Sequence, residues 1–144
     1  MEELPGLAQY GHIKTSDKTP AYNCIAWADY DQTNWWWPFG PSPENFRKNA
    51  FWPGTMDADT IASFVEAFEI RGFARCNAID TSFQDGVEKI AIYARGMKAT
   101  HAARQLADGR WTHKLGQDID VTASLKAVEG AQYGNVAVIM QRQR

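Results

Sequence analysis

Ile61, Phe64, Val65 and Phe68 fall at i, i+3, i+4 and i+7, which is the spacing of one apolar stripe on a helix. The stripe predicts a helix over Asp57–Arg71, capped by Asp57 or Asp59 and stopped by Gly72. Beyond it the period shortens. Phe73–Cys76 predicts a short strand. Val87–Arg95 predicts a buried one, because its centre Ile90-Ala91-Ile92-Tyr93 has the length and branching of a strand. Gly96-Met97-Lys98 reads as a turn. Thr100–Leu106 and Arg110–Leu115 then flank Ala107-Asp108-Gly109, and Asp-Gly between two strand-like runs signals a hairpin. Ala123–Val128 predicts a short helix, capped by Thr122 and closed by Gly130, and Asn135–Gln141 predicts the last strand.

The first third of the chain is less regular. Residues 1–20 hold no period of 2 or 3.6 and predict an irregular segment. Tyr22–Ala28 predicts a short helix with Asn23 as its cap. Trp35-Trp36-Trp37-Pro38-Phe39-Gly40-Pro41-Ser42-Pro43 predicts an aromatic loop, since three prolines forbid a central strand or a regular helix. Helices first and sheet second predict an α+β class. Residues 1–144 are expected to form one domain, with N-terminal helices on a four- to five-stranded, mostly antiparallel sheet.

Composition narrows the function classes. A length of 144 residues suits one ordinary domain. A net charge of −2 lacks the basic excess with which nucleic-acid binders displace counterions. The longest apolar runs, Ile90–Ala94 and Val136–Met140, fall far short of the ~20 residues that span a membrane. No export signal opens the chain, and Cys24 and Cys76 are too few for a disulfide scaffold, so a cytoplasmic protein with reduced thiols is expected. No Cys-x-x-Cys or His-x-x-x-His spacing and no phosphate-cradling glycine loop occurs, so neither metal nor cofactor is expected.

Cys24 is the strongest candidate for chemistry. One residue inside a helix start, a thiol meets open N–H groups that favour the thiolate, which is the nucleophile. The same groups can hold an oxyanion during acyl transfer. A free cysteine is also commonly a small buried hydrophobe. A base would come from His12, His101 or His113; His101 has the firmest mount, on a strand of the predicted hairpin. Strand alternation puts His101, Ala103 and Gln105 on one face and Ala102, Arg104 and Leu106 on the other. A third group should orient the imidazole. A strict two-residue Asp108-Gly109 turn would put His113 on the opposite face, whereas a three-residue loop with a bulge would bring it round. Asp118 and Asp120 are the alternatives. The tryptophans of the aromatic loop, with Trp52, either cover the core or line a groove.

Asn23-Cys24 at an early helix, His101 opening a strand and His113 beyond a glycine turn resemble the layout of papain-like cysteine hydrolases, closest to the NlpC/P60 and CHAP-type amidases and peptidases. The resemblance spans roughly residues 20–115 and lies in order and spacing. The glutamine that papain-type sites carry before the nucleophile is missing from Lys14–Pro20, and Asn-Cys-Ile-Ala replaces the Asp-Cys-Ser-Gly common in the NlpC/P60 group. Tyr22–Ala28, Trp36-Trp37-Pro38, Thr100–Gln105 and Asp108–Thr112 also resemble a family of small bacterial proteins of unknown function. The hydrolase resemblance implies a papain-like fold and cleavage of an amide or peptide bond. Cys24 would be the nucleophile, His101 the base and His113 its orienting partner, with Tyr22, Asn23, Trp36, Trp37 and Trp52 around a peptide or amide substrate. The other expectation is an inactive module of the same fold that binds a protein or peptide partner through its Trp-rich loop.

Overall fold

The computed structural model describes residues 5–16, 23–31, 35–36, 50–54, 59–115, 120–130 and 133–143. In chain order its elements are α1 (Pro5–Tyr10), β1 (Ile13–Ser16), α2 (Cys24–Ala28), β2 (Trp35–Trp36), β3 (Ala50–Phe51), α3 (Ile61–Ile70) and β4 (Ala74–Arg75). There follow β5 (Val87–Arg95), β6 (Lys98–Gln105), β7 (Trp111–Lys114), β8 (Asp120–Thr122), α4 (Leu125–Val128) and β9 (Asn135–Gln143). Seven strands form one sheet in the order β1-β8-β7-β6-β5-β9-β4, and every pair in it is antiparallel. The short β2 and β3 pair in parallel beside it.

This architecture overturns the expected papain-like α+β layout. The protein is mostly β: seven strands stand where four or five were expected, and the helices are few and short. Nor do the helices gather on one side. Residues of β5 alternate, so Ile90 and Ile92 join Ala102, Val138 and Met140 in a cluster with α2 and α3. Ala91 and Tyr93 join Ala103, Val121 and Ile139 in a second cluster, with Leu7 of α1 and Ala127 and Val128 of α4. The sheet is therefore covered on both faces. That explains why β5 reads as a continuous apolar run rather than an alternating one.

Local expectations met mixed outcomes. β5 spans Val87–Arg95 as expected, and β9 extends the expected last strand by two residues. α3 starts later than expected, at Ile61, because the Thr60 hydroxyl accepts the Ser63 N–H at 3.2 Å. Asp59 instead offers its carbonyl to the Ala99 N–H, and Asp57 lies outside the described residues. Ser124, not Thr122, caps α4. The segment expected to be irregular holds α1 and β1. Within the aromatic loop, Trp35 and Trp36 form a strand pair with Ala50 and Phe51.

Candidate functional site

Cys24 opens α2, as its sequence suggested. Asn23 builds that start: its Oδ1 accepts the N–H groups of Ala26 and Trp36, each at 3.1 Å, and its Nδ2 donates to the Trp36 carbonyl at 2.7 Å. Asn23 thus caps the helix and ties it to β2, a positioning role distinct from the substrate contact expected of it. The helix then lies on β6 and β7. Trp27 Nε1 donates to Thr112 Oγ1 at 3.0 Å, and the Arg104 guanidinium sits 4.6 Å from the Trp27 ring centre. Between these anchors Cys24 is 6% exposed, in the same cluster as Ile25, Ile92 and Ala102. Burial pushes its thiol up to about 11. The backbone amides of Ala102 and Ile25 and the charge of buried Lys114 pull the other way and do not prevail.

His101 leaves β6 on the opposite side. It pairs with Tyr93, next to Ala102, which faces Cys24. Between the pairs Tyr93–His101 and Ala94–Ala99 the strand carries one extra residue, Thr100. The His101 ring stacks on Tyr133 at 4.4 Å and meets Tyr93 edge-on at 5.0 Å. It is fully buried. The expected Cys24–His101 pair is therefore not formed: Cys24 packs from α2 on the face of β6 that carries Ala102, and His101 leaves by the other face.

His101 does meet His113. Gln105 pairs with Trp111 and Ala103 with His113. The hairpin closes with the Leu106 N–H on the Arg110 carbonyl at 2.7 Å, around the three residues Ala107-Asp108-Gly109. Gly109, at φ +89°, supplies the left-handed residue that such a loop needs. This longer loop puts His113 on the face of His101. Nε2 of His101 lies 3.0 Å from Nδ1 of His113, and Nε2 of His113 lies 3.1 Å from the Ala123 carbonyl oxygen. A carbonyl only accepts, so His113 donates through Nε2 and accepts the Nε2–H of His101 at Nδ1. Nδ1 of His101 keeps its lone pair and meets no hydrogen-bond donor among the described residues. Burial, and then the neighbouring His113, hold His101 well below the usual histidine range; burial lowers His113 to about 4.

The remaining expected residues scatter. Asp120 is buried opposite Lys114, whereas Val121 is the residue opposite His113, so alternation keeps Asp120 off the imidazole face. Trp36 is 1% exposed; its Nε1 donates to Asp31 Oδ2 at 2.8 Å, and its ring lies 6.2 Å from that of Phe68. It is core rather than a groove wall. Trp52 is half-buried with its ring 5.0 Å from that of Phe64. Tyr22, Trp37 and Asp118 lie outside the described residues. Among the described residues no three His, Cys, Asp or Glu side chains gather as a metal site, and no helix is long and apolar enough to cross a membrane.

A cleft of about 420 Å³ opens beyond Ala123, between the α1–β1 turn, the hairpin and the end of β8. Tyr10, His12, Ile13, Arg110, Trp111 and Ser124 line it. His12, in the segment expected to be irregular, is fixed by Nδ1 donating to the Leu7 carbonyl at 3.1 Å. The sequence reading did not find this cleft. Pro5 at the first turn and Gly11 just past the last residue of α1 were the available signal for the helix that builds it.

No curated protein and no solved structure matches this chain. A family model does match, over residues 13–141, and its span takes in Cys24, both paired imidazoles and the seven-stranded sheet but for the last two residues of β9. The chain belongs to the family described as Domain of unknown function (DUF7689).

Proposed function

We propose that this protein is a binding module for a peptide or protein partner and that Cys24 is not an enzymatic nucleophile. The observation that carries the reading is the placement of Cys24 and His101 on opposite faces of one sheet. A cysteine hydrolase needs its base within hydrogen-bond reach of the thiol. Here the sulfur is sealed among apolar side chains and is neutral near pH 7. The imidazoles are spent on each other and on Ala123. A concave, mostly apolar cleft with a few polar groups is what a recognition surface offers in its place. Both cysteines are free thiols, which suits the reducing cytoplasm.

The test is alkylation of the folded protein with iodoacetamide at about pH 6, below the range of an ordinary thiol. Half-buried Cys76 is expected to react slowly and Cys24 more slowly still, with no change in His101→Gln. Rapid modification of Cys24 that disappears in His101→Gln would restore the hydrolase reading.

A further inference from the structure

Resting on the binding-module reading, we infer that the cleft between α1 and the β6–β7 hairpin takes an acidic peptide segment that presents one large apolar side chain. Three observations carry this. First, the floor is apolar and the rim presents Ile13 and Tyr10 at 56% and 47% exposure. These are large side chains left open to water, and they flank Trp111, which lines the cleft and is itself 6% exposed. A cavity of this volume admits an aromatic or branched side chain.

Second, the charged side chain in the lining is cationic. Arg110 lines the cleft, and among the described residues no carboxylate does. The Lys126 ammonium stands 5.6 Å from the Tyr10 ring at the rim. The nearest acid to Arg110 is Asp108, whose Oδ2 takes both Nε and Nη2, at 2.8 and 2.7 Å. Both members of that pair are at least half exposed, and such pairs contribute little. Nη1 of Arg110 has no partner among the described residues.

Third, the walls are braced. His12 is tied to Leu7, Ser124 Oγ accepts the Ala127 N–H at 3.1 Å, and Ala123 holds the Trp111 carbonyl through its N–H at 3.0 Å. A preformed cleft loses little entropy when it is filled.

The probe is acetyl-Glu-Asp-Gly-Phe-Asp-Glu-amide, with a counterpart carrying lysine at each acidic position. Amide and indole resonances of the folded protein are followed by ¹H–¹⁵N correlation spectra up to about 1 mM peptide, a range that captures weak specific binding. Saturable shifts are expected at Gly11, Arg110, the Trp111 indole and Ser124. The lysine peptide and the Arg110→Glu variant should each weaken binding by about tenfold or more. Ile13→Asp, at an exposed position, should weaken it too. Shifts centred elsewhere, equal binding of the two peptides, or no shifts at all would overturn the inference. So would the same resonances moving with protein concentration alone, which would make the occupant a second copy. The alkylation result stands apart. An inert Cys24 with no peptide shifts discards the cleft and keeps the module, whereas an activated Cys24 discards the module whatever the peptide does.

Discussion

His101 donates a hydrogen bond from Nε2 to Nδ1 of His113 at 3.0 Å, and His113 in turn donates to the carbonyl of Ala123. The direction is set at the far end, because a carbonyl cannot donate. Burial keeps both rings neutral near pH 7, and a proton added at Nδ1 of His101 would meet no acceptor among the described residues.

Acid should weaken the fold well before most carboxylates titrate. Both imidazoles bind their proton less tightly folded than unfolded, His113 titrating at about 4 against an ordinary 6.5. The unfolded chain thus takes up protons through pH 6.5 that the folded chain refuses. Stability is full above that value and falls as pH drops toward 4, by up to about 2.7 kcal/mol per pH unit for two groups. Cys24 works in the opposite sense. Its raised value makes stability fall as pH climbs through 9 toward 11. Urea midpoints should form a plateau between these limits and drop clearly at pH 5; equal midpoints at pH 7.5 and 5 would refute the neutral pair.

Much of the sheet was legible because it is made locally. β5 declares itself by a branched run, and the hairpin by Asp108-Gly109. Alternation along β6 correctly separated His101 from Ala102 and Arg104. What it could not say is which face α2 would cover. That choice is made at long range, by Trp27 on Thr112 and Arg104, and it moves Cys24 away from His101. The number of strands was equally hidden. β4 falls within the strand expected over Phe73–Cys76, but β1 is four residues long and β8 three, too short for any period to register, and they pair with each other at the edge of the sheet. Asn23 was legible as a cap, but its second bond, to Trp36, was not.

Asp29 is expected to be a stability centre. It ends α2 with its side chain 2% exposed, and it receives Arg71 Nε at 2.6 Å and Arg142 Nη2 at 2.8 Å. Arg142 also holds Glu88 at 2.7 Å and the Arg71 carbonyl, so two helix ends, β5 and β9 meet at one carboxylate. Removing one member of a buried network leaves the others unpaired. Asp29→Asn should cost about 3 kcal/mol, and Asp108→Asn, in an exposed pair, should leave the urea midpoint unchanged. A loss of the same size in both would mean that burial does not set the difference.

Trp36 should matter to folding rather than to recognition. Its ring packs near Phe68, and Arg71 lies 5.4 Å from its centre. Trp36→Ala removes a large buried side chain and should cost about 3–5 kcal/mol. Trp36→Phe should recover much of that and lose the bond to Asp31. If Trp36→Ala unfolded at the urea concentration of the parent, the ring would not be a core element, and a groove wall would again be a fair description of it.

Two glycines separate backbone strain from steric collision. Gly96 and Gly134 both have positive φ, +61° and +76°. A Cβ on Gly96 would meet nothing within 4 Å, so Gly96→Ala carries only the left-handed cost of about 1 kcal/mol. A Cβ on Gly134 would collide with the Ala94 carbonyl oxygen, a backbone atom that cannot step aside without shifting β5. Overpacking of this kind adds about 1–3 kcal/mol. Gly134 also forms a bridge with Gly130 and follows Tyr133, the ring stacked on His101. Gly134→Ala is therefore expected to lose more stability than Gly96→Ala and to shift the ¹⁵N resonances of the His101 ring, which Gly96→Ala leaves in place. Equal losses, with the imidazole resonances unmoved in both, would show that the approach of residue 134 to Ala94 is not what seats Tyr133 on His101.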